Sequence, residues 1–178
     1  MNLKNKLIPF SITFFVILVD QITKYIVVKT VPLFVIKFSF FDEFLRIVHV
    51  RNKAIAFSIG SGLPDDVRTI AFSIFPLIIL ILLIIYIFRT NEFTIPQRWF
   101  LSGIIGGGFG NLIDRFFRPD GVVDFIDVKF FGIFGLERWP TFNVADSAIV
   151  VCGILLFASL FFKSKKSPET MDSVTSTE

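Results

Sequence analysis

The chain has 178 residues, 53% of them hydrophobic and 25 of them phenylalanine, with a formal net charge of +3. That is too apolar for a soluble domain of this length and points to a single integral membrane bundle. The scattered charge offers no Lys/Arg stripe for nucleic acid, and one cysteine and one histidine cannot supply a disulfide or an ordinary zinc site.

Residues 1–6 are short and basic, and residues 7–28 are apolar apart from Asp20, Gln21, Thr23 and Lys24. No Ala-x-Ala cleavage site follows, and apolar character resumes after Lys24, so this is a retained span rather than a removed leader. About 22 residues at ~1.5 Å each cross a hydrocarbon core of ~30 Å. Residues 33–41 and 45–50 are β-branched and aromatic runs bounded by Pro32, Asp42-Glu43 and Asn52-Lys53. They read as strands of a small surface platform. Residues 60–64 (Gly-Ser-Gly-Leu-Pro) read as a turn. His49 reads as an ordinary residue of a polar loop, a poor candidate for a Ser-His-Asp triad.

A second span falls at about residues 68–89, where Pro76 is tolerated if neighbours satisfy the freed backbone. A third falls at about 98–114. Its spacings Gly103-x-x-x-Gly107 and Gly106-x-x-x-Gly110 let helices approach closely. Residues 115–140 form a second loop, with a strand or re-entrant edge near 122–131 and Trp139 at the interface. A fourth span covers about 142–162, includes Cys152 as a small hydrophobe, and ends in Lys163, Lys165 and Lys166. The remaining tail is polar and Ser/Thr-rich, as disordered segments are. Four spans put both termini on one side, and the basic residues there make it cytoplasmic. Asp20, Lys24, Asn111, Asp114, Arg115, Asn143 and Asp146 then share the opposite level of the bilayer, with the loop carrying Asp124.

Ionisable groups at membrane depth are costly and usually functional. Two adjacent carboxylates cannot both ionise cheaply, so one keeps a proton while the other draws a proton from water. Such a pair hydrolyses amides without a metal or a covalent intermediate. Spacing leaves open which two of Asp114, Asp124, Asp127 and Asp146 form it. Arg115 beside Asp114 suggests an ion pair or a substrate contact, and Asp127 reads as a solvated loop residue. Asn111 and Asn143 are either site residues or helix caps. Asp20 and Lys24, spaced i,i+4, can pair on one helix face.

Five blocks carry a resemblance: Asp20-Gln21-Ile22-Thr23-Lys24; Asn52 with Ala56-Phe57-Ser58; Gly110-Asn111-Leu112-Ile113-Asp114-Arg115; Val122-Val123-Asp124-Phe125; and Phe142-Asn143-Val144-Ala145-Asp146-Ser147. In this order they resemble the motifs of the lipoprotein signal peptidases (signal peptidase II). The resemblance implies an all-α integral membrane protein, a four-transmembrane-helix bundle with a small extracytoplasmic β-platform. It implies one peptidase domain over residues 1–166 and a disordered cytoplasmic tail over 167–178. The implied activity is aspartic endopeptidase in the bacterial cytoplasmic membrane. It would cut diacylglyceryl-modified prolipoproteins just before the lipidated cysteine, near the outer face, as a monomer among membrane lipid with no cofactor or metal and no nucleic acid. The family's catalytic pair falls on Asp124 and Asp146, with Asp20, Lys24, Asn52, Asn111, Asp114, Arg115 and Asn143 as support. One departure is Ala54, where the family usually has glycine. Competing readings are an ion-coupled carrier, disfavoured because the acids lie at span ends and no repeat is visible, and a non-catalytic assembly factor.

Overall fold

A computed structural model describes residues 2–53, 62 and 64–163. Ala54, Ala56, Phe57 and Ser58 of the second sequence block, most of the 60–64 turn, Lys165, Lys166 and the tail lie outside the described residues.

The first span is two helices, α1 (Leu3–Leu7) and α2 (Phe10–Thr30). They meet at Pro9, which cannot donate a helical hydrogen bond, while Asn2 caps α1 through Asn5 N at 3.0 Å. The buried residues of α2 are Val16, Asp20, Lys24 and Val27, a helical stripe on one face. Phe14, Phe15, Leu18, Ile22 and Ile26 are exposed on the rest, as expected of a lipid-facing surface.

The second span runs through α3 (Asp65–Thr69), a π-helical segment (Ile70–Ile74) and α4 (Phe75–Arg89). Pro76 explains the irregularity. It has no N–H for the carbonyl four residues back, and that carbonyl, Phe72 O, instead accepts from Arg115 Nη1 at 2.9 Å. The loose turn thereby becomes a contact to the next helix.

That helix, α5 (Ile95–Phe117), starts with a capping box in which Gln97 N donates to Thr94 Oγ1 at 3.4 Å and Thr94 N donates to Gln97 Oε1 at 3.0 Å. It lies between α2 and the last helix, α6 (Val144–Lys163). Its glycines allow this. A Cβ on Gly107 would collide with Ala145 O, and one on Gly110 would sit 2.8 Å from Asp20 Oδ2. Leu80, Ile87, Leu101, Ile105 and Leu112 form the core between α4 and α5.

Among the described residues, three stretches are long and apolar enough to cross a membrane: Leu3–Thr30, Asp66–Arg89 and Val144–Phe161. The glycine-rich α5, expected as a further span, is not among them, because much of its surface faces protein and need not be apolar.

The expected platform is a sheet of order β1-β2-β3-β4. β1 (Ile36–Phe40) and β2 (Leu45–Asn52) form an antiparallel hairpin, and β2 pairs with β3 (Val122–Ile133), which pairs with β4 (Leu136–Arg138). The two outer loops of the chain thus build one sheet. His49 is not in a polar loop: it lies in β2, buried, with Nδ1 2.9 Å from Val31 O. Asp127 is not a solvated loop residue: it is buried in β3 and bridges to Arg138 Nε at 2.6 Å.

Candidate active site

Asp124 is delivered by β3. Val123 and Phe125, its neighbours, pack with Val27 of α2 and with Val31 just after that helix. Strand alternation therefore turns Asp124 to the opposite face. Val50 of β2 lies opposite Asp124 and Asn52 opposite Val122, which places Asn52 diagonally across from Asp124. Asn52 Nδ2 donates to Asp124 Oδ2 at 3.0 Å. Phe142 then ties the strand to the start of α6: Ile126 N donates to Phe142 O at 2.8 Å, and Phe142 N returns a bond to Ile126 O at 3.0 Å.

Asp146 is delivered by the first turn of α6. Asn143 precedes the helix and caps it reciprocally. Asp146 N donates to Asn143 Oδ1 at 3.0 Å, and Asn143 N donates to Asp146 Oδ2 at 3.1 Å. Because Asn143 Oδ1 is held by a backbone donor, its Nδ2 must face the other way. It donates to Asp124 Oδ1 at 2.8 Å and Asn111 Oδ1 at 3.0 Å. Cap and site residue are here one residue, not alternatives. Asn143 joins the two carboxylates.

Asn111 completes the ring. Its Oδ1 accepts from Lys24 Nζ at 3.1 Å, and Lys24 can only donate. The amide orientation is thereby determined, and Asn111 Nδ2 donates to Asp146 Oδ1 at 2.7 Å. The oxygens of Asp124 and Asp146 thus receive carboxamide and backbone donors. Burial pushes the Asp124 carboxyl up to about 7, and the Asp146 charge adds to this against the opposing effects of the Asn52 and Asn143 hydrogen bonds and of Lys24.

Below this pair lies a second polar cluster. Asp20, Lys24 and Asp114 are fully buried. Lys24 Nζ bridges Asp20 Oδ2 at 2.8 Å and Asp114 Oδ2 at 3.2 Å, and Arg118 Nε holds Asp114 Oδ1 at 2.9 Å. Asp114 therefore takes its cations from Lys24 and Arg118, while Arg115 turns to Phe72 O. Asp20 Oδ1 accepts from Ala145 N at 2.9 Å, placing an anion at the N-terminus of α6, where the helix dipole favours it. Asp114 Oδ2 accepts from Val123 N at 3.0 Å, fastening α5 to the strand that carries Asp124.

Asp124 and Asp146 line a cavity of about 230 Å³ with Asn52, Asn111, Arg115 and Trp139. An apolar groove of about 370 Å³ adjoins it, lined by Phe130, Trp139, Phe142, Val150 and Val151, with Asp146 at its edge. Among the described residues, no group of His, Cys, Asp and Glu could hold a metal ion. The arrangement is two carboxyls bridged by one asparagine, through its side-chain amide and its backbone N–H, at a junction of polar cavity and apolar groove.

Comparison with known proteins shows the family. A family profile described as signal peptidase (SPase) II matches residues 12–162. The chain belongs to the signal peptidase II family. It is a membrane endopeptidase of the aspartic type that processes prolipoproteins, a multi-pass protein of the bacterial inner membrane. The lipoprotein signal peptidase of Treponema pallidum (strain Nichols) is 51% identical over 98% of this chain and 93% of its own length. That of Treponema denticola is 48% identical over 97% and 99%. A bacterial membrane enzyme solved by the in meso method at 2.3 Å resolution superposes with a TM-score of 0.76 at 32% identity, over 93% of this chain and 94% of that one.

In this signal peptidase II the named residues fall into two groups. Asn52, Asn111, Asp124, Asn143 and Asp146 form the upper ring, and Asp20, Lys24 and Asp114 the lower cluster. Arg115 lines the cavity without a hydrogen bond to either carboxylate of the upper pair. Sequence reasoning missed Gln21 and Arg118. Gln21 Nε2 lies 3.0 Å from Gly110 O and 3.2 Å from Asp114 Oδ1. An amide inside an apolar span beside Asp20 was the signal for it, and Arg118 stands i,i+4 from Asp114.

Proposed function

We propose that Asp124 and Asp146 are the catalytic pair and that the scissile peptide bond lies just before a diacylglyceryl-modified cysteine. The observation that carries this is the position of Asn143 between the two carboxyls: its Nδ2 donates to Asp124 Oδ1 at 2.8 Å and its backbone N–H donates to Asp146 Oδ2 at 3.1 Å. With Asp124 pushed up to about 7, the pair carries one proton near neutral pH. Asp146, as carboxylate, takes a proton from water while the water oxygen attacks the carbonyl carbon. Asp124 gives its proton to the carbonyl oxygen. Collapse of the tetrahedral intermediate moves the proton on Asp146 to the departing amine and returns the other to Asp124.

The apolar groove beside Asp146 supports a substrate with acyl chains, and the adjoining polar cavity supports a peptide backbone there. The finer architecture belongs to the same reading. α5 is the third span in chain order and brings the total to four, shielded from lipid by its neighbours. Residues 1–166 form one peptidase domain, acting as a monomer without nucleic acid. Both termini face the cytoplasm, and the site lies near the outer face. Asn52, Asn111, Asn143, Asp20, Lys24 and Asp114 position the pair, and Arg115 faces the substrate.

The test is cleavage of one diacylglyceryl-modified precursor by the wild type, Asp124→Asn and Asp146→Asn, each in the membrane and folded. Loss in both variants is expected. Normal processing by either would remove that residue from the pair.

A further inference from the structure

The sheet has two unlike ends. β2 begins with Leu45 opposite Val128 and ends with Asn52 opposite Val122. Asp124 therefore belongs to one end, and the β1–β2 and β3–β4 turns lie together at the other. These turns are tied into one unit. Lys129 N donates to Phe44 O at 2.8 Å, and the rings of Phe44 and Phe131 stack with centroids 6.1 Å apart. Arg138 Nη1 and Nη2 both donate to Glu43 O at 3.1 Å.

The residues that form this tip are unusual for turns. Phe41, Phe131 and Phe134 adopt φ of 52°, 55° and 54°, the left-handed region that favours glycine and asparagine. Yet their side chains are 80%, 64% and 90% exposed. In water a phenylalanine here combines backbone strain with exposed apolar surface, and asparagine would avoid both. A hydrocarbon surrounding reverses the second cost. The nearby cations suit that setting. Lys129 Nζ lies 5.6 Å from the Phe131 ring and Lys37 Nζ 5.5 Å from the Phe38 ring, so apolar stems run beside the rings and charged heads can reach phosphates. Of the acids on the tip, Glu43 pairs with Arg46 at 2.5 Å. Asp42 is exposed on the same turn and Glu137 on the neighbouring hairpin, which limits insertion to the depth of the rings.

We propose that this double-turn tip inserts into the phospholipid leaflet at the catalytic end of the helices. The sheet then bridges from bundle to bilayer, and lipid helps to set its height over the apolar groove. This insertion depends on the membrane location of the chain and not on which carboxylates are catalytic.

A nitroxide on Phe134→Cys, in a Cys152→Ala background, would report the tip's surroundings in vesicles of phosphatidylcholine and phosphatidylglycerol. Collisions with oxygen should exceed those with a water-soluble nickel chelate several-fold. The reverse ratio would overturn the proposal, as would spin–spin broadening from a second copy, which would make the tip a dimer contact. The unlabelled double variant Phe41→Asn/Phe134→Asn supplies a second readout, since asparagine suits these φ values. Its unfolding temperature in detergent should equal or exceed that of the wild type. Cleavage in micelles should be unchanged, while KM in vesicles should rise several-fold. A lowered unfolding temperature would make the rings part of the core, and an unchanged KM in vesicles would remove any positioning by lipid; either result counts against the proposal.

Discussion

Two pairs of aspartates lie one above the other in this protein, and their partners differ in kind. Asp20 and Asp114 are held by cations, with Lys24 Nζ at 2.8 Å and 3.2 Å and Arg118 Nε at 2.9 Å from Asp114. Asp124 and Asp146 are held by the carboxamides of Asn52, Asn111 and Asn143 and by a backbone N–H. A cation fixes a carboxylate in its charged form, whereas a neutral donor orients it and leaves the proton exchangeable. The lower pair is therefore suited to structure and the upper to chemistry. The two communicate through Lys24, whose Nζ determines the Asn111 amide orientation.

The comparison breaks most directly at the upper pair. Asp124→Asn and Asp146→Asn should each lower kcat by about 10³-fold or more, measured on a lipid-modified precursor, with the unfolding transition retained. If Asp20→Asn removed activity equally while Asp124→Asn did not, the two clusters would have to exchange roles. At the lower pair, Lys24→Met should act on stability first. It leaves two buried carboxylates without their shared cation, a loss of about 3–5 kcal/mol, which thermal unfolding in detergent would register as a clear drop in Tm.

Asn143→Ser sharpens the distinction between cap and bridge. Serine caps helices about as well as asparagine, so the start of α6 should be retained. The amide donor to Asp124 Oδ1 is lost, however, and that donor holds the Asp124 pKa down. The basic limb of kcat/KM, expected near pH 7 in the wild type, should move upward by about one pH unit. A profile that stays in place would mean the amide orients without tuning.

The smallest effect is on stability against pH. Asp124 is raised from 3.8 to about 7 in the folded protein, so the folded state binds the extra proton between these values. Its contribution to stability is fully present below the unfolded pKa and is lost as pH rises through about 7. The Tm difference between Asp124→Asn and wild type should therefore shift in favour of the variant between pH 5 and pH 8. A difference independent of pH would contradict the raised pKa.

Much of the helical framework was legible because lipid exposure demands long apolar runs, as in residues 68–89. Pro76 was readable as tolerated, but not the Arg115 guanidinium that satisfies the carbonyl it frees. Strands were readable at 33–41 and 45–50 from β-branching and aromatics, and they form at 36–40 and 45–52. The pairing of the second with β3, 70 or more residues later, has no local signature. The same limit hid the surroundings of His49 and Asp127, whose burial comes from neighbours distant in sequence.

By itself the sequence determined the membrane class, the ordered polar motifs and the close-packing glycines, since each depends on local composition or spacing. Only the tertiary structure decided that Arg118, not Arg115, pairs with Asp114, and that Asn143 is cap and bridge together. It alone separated a cation-held pair of aspartates from an amide-held one. The physical reason is that a carboxylate's behaviour follows from burial and from the charge of the donors within about 3 Å, and those donors come from five separate segments of the chain.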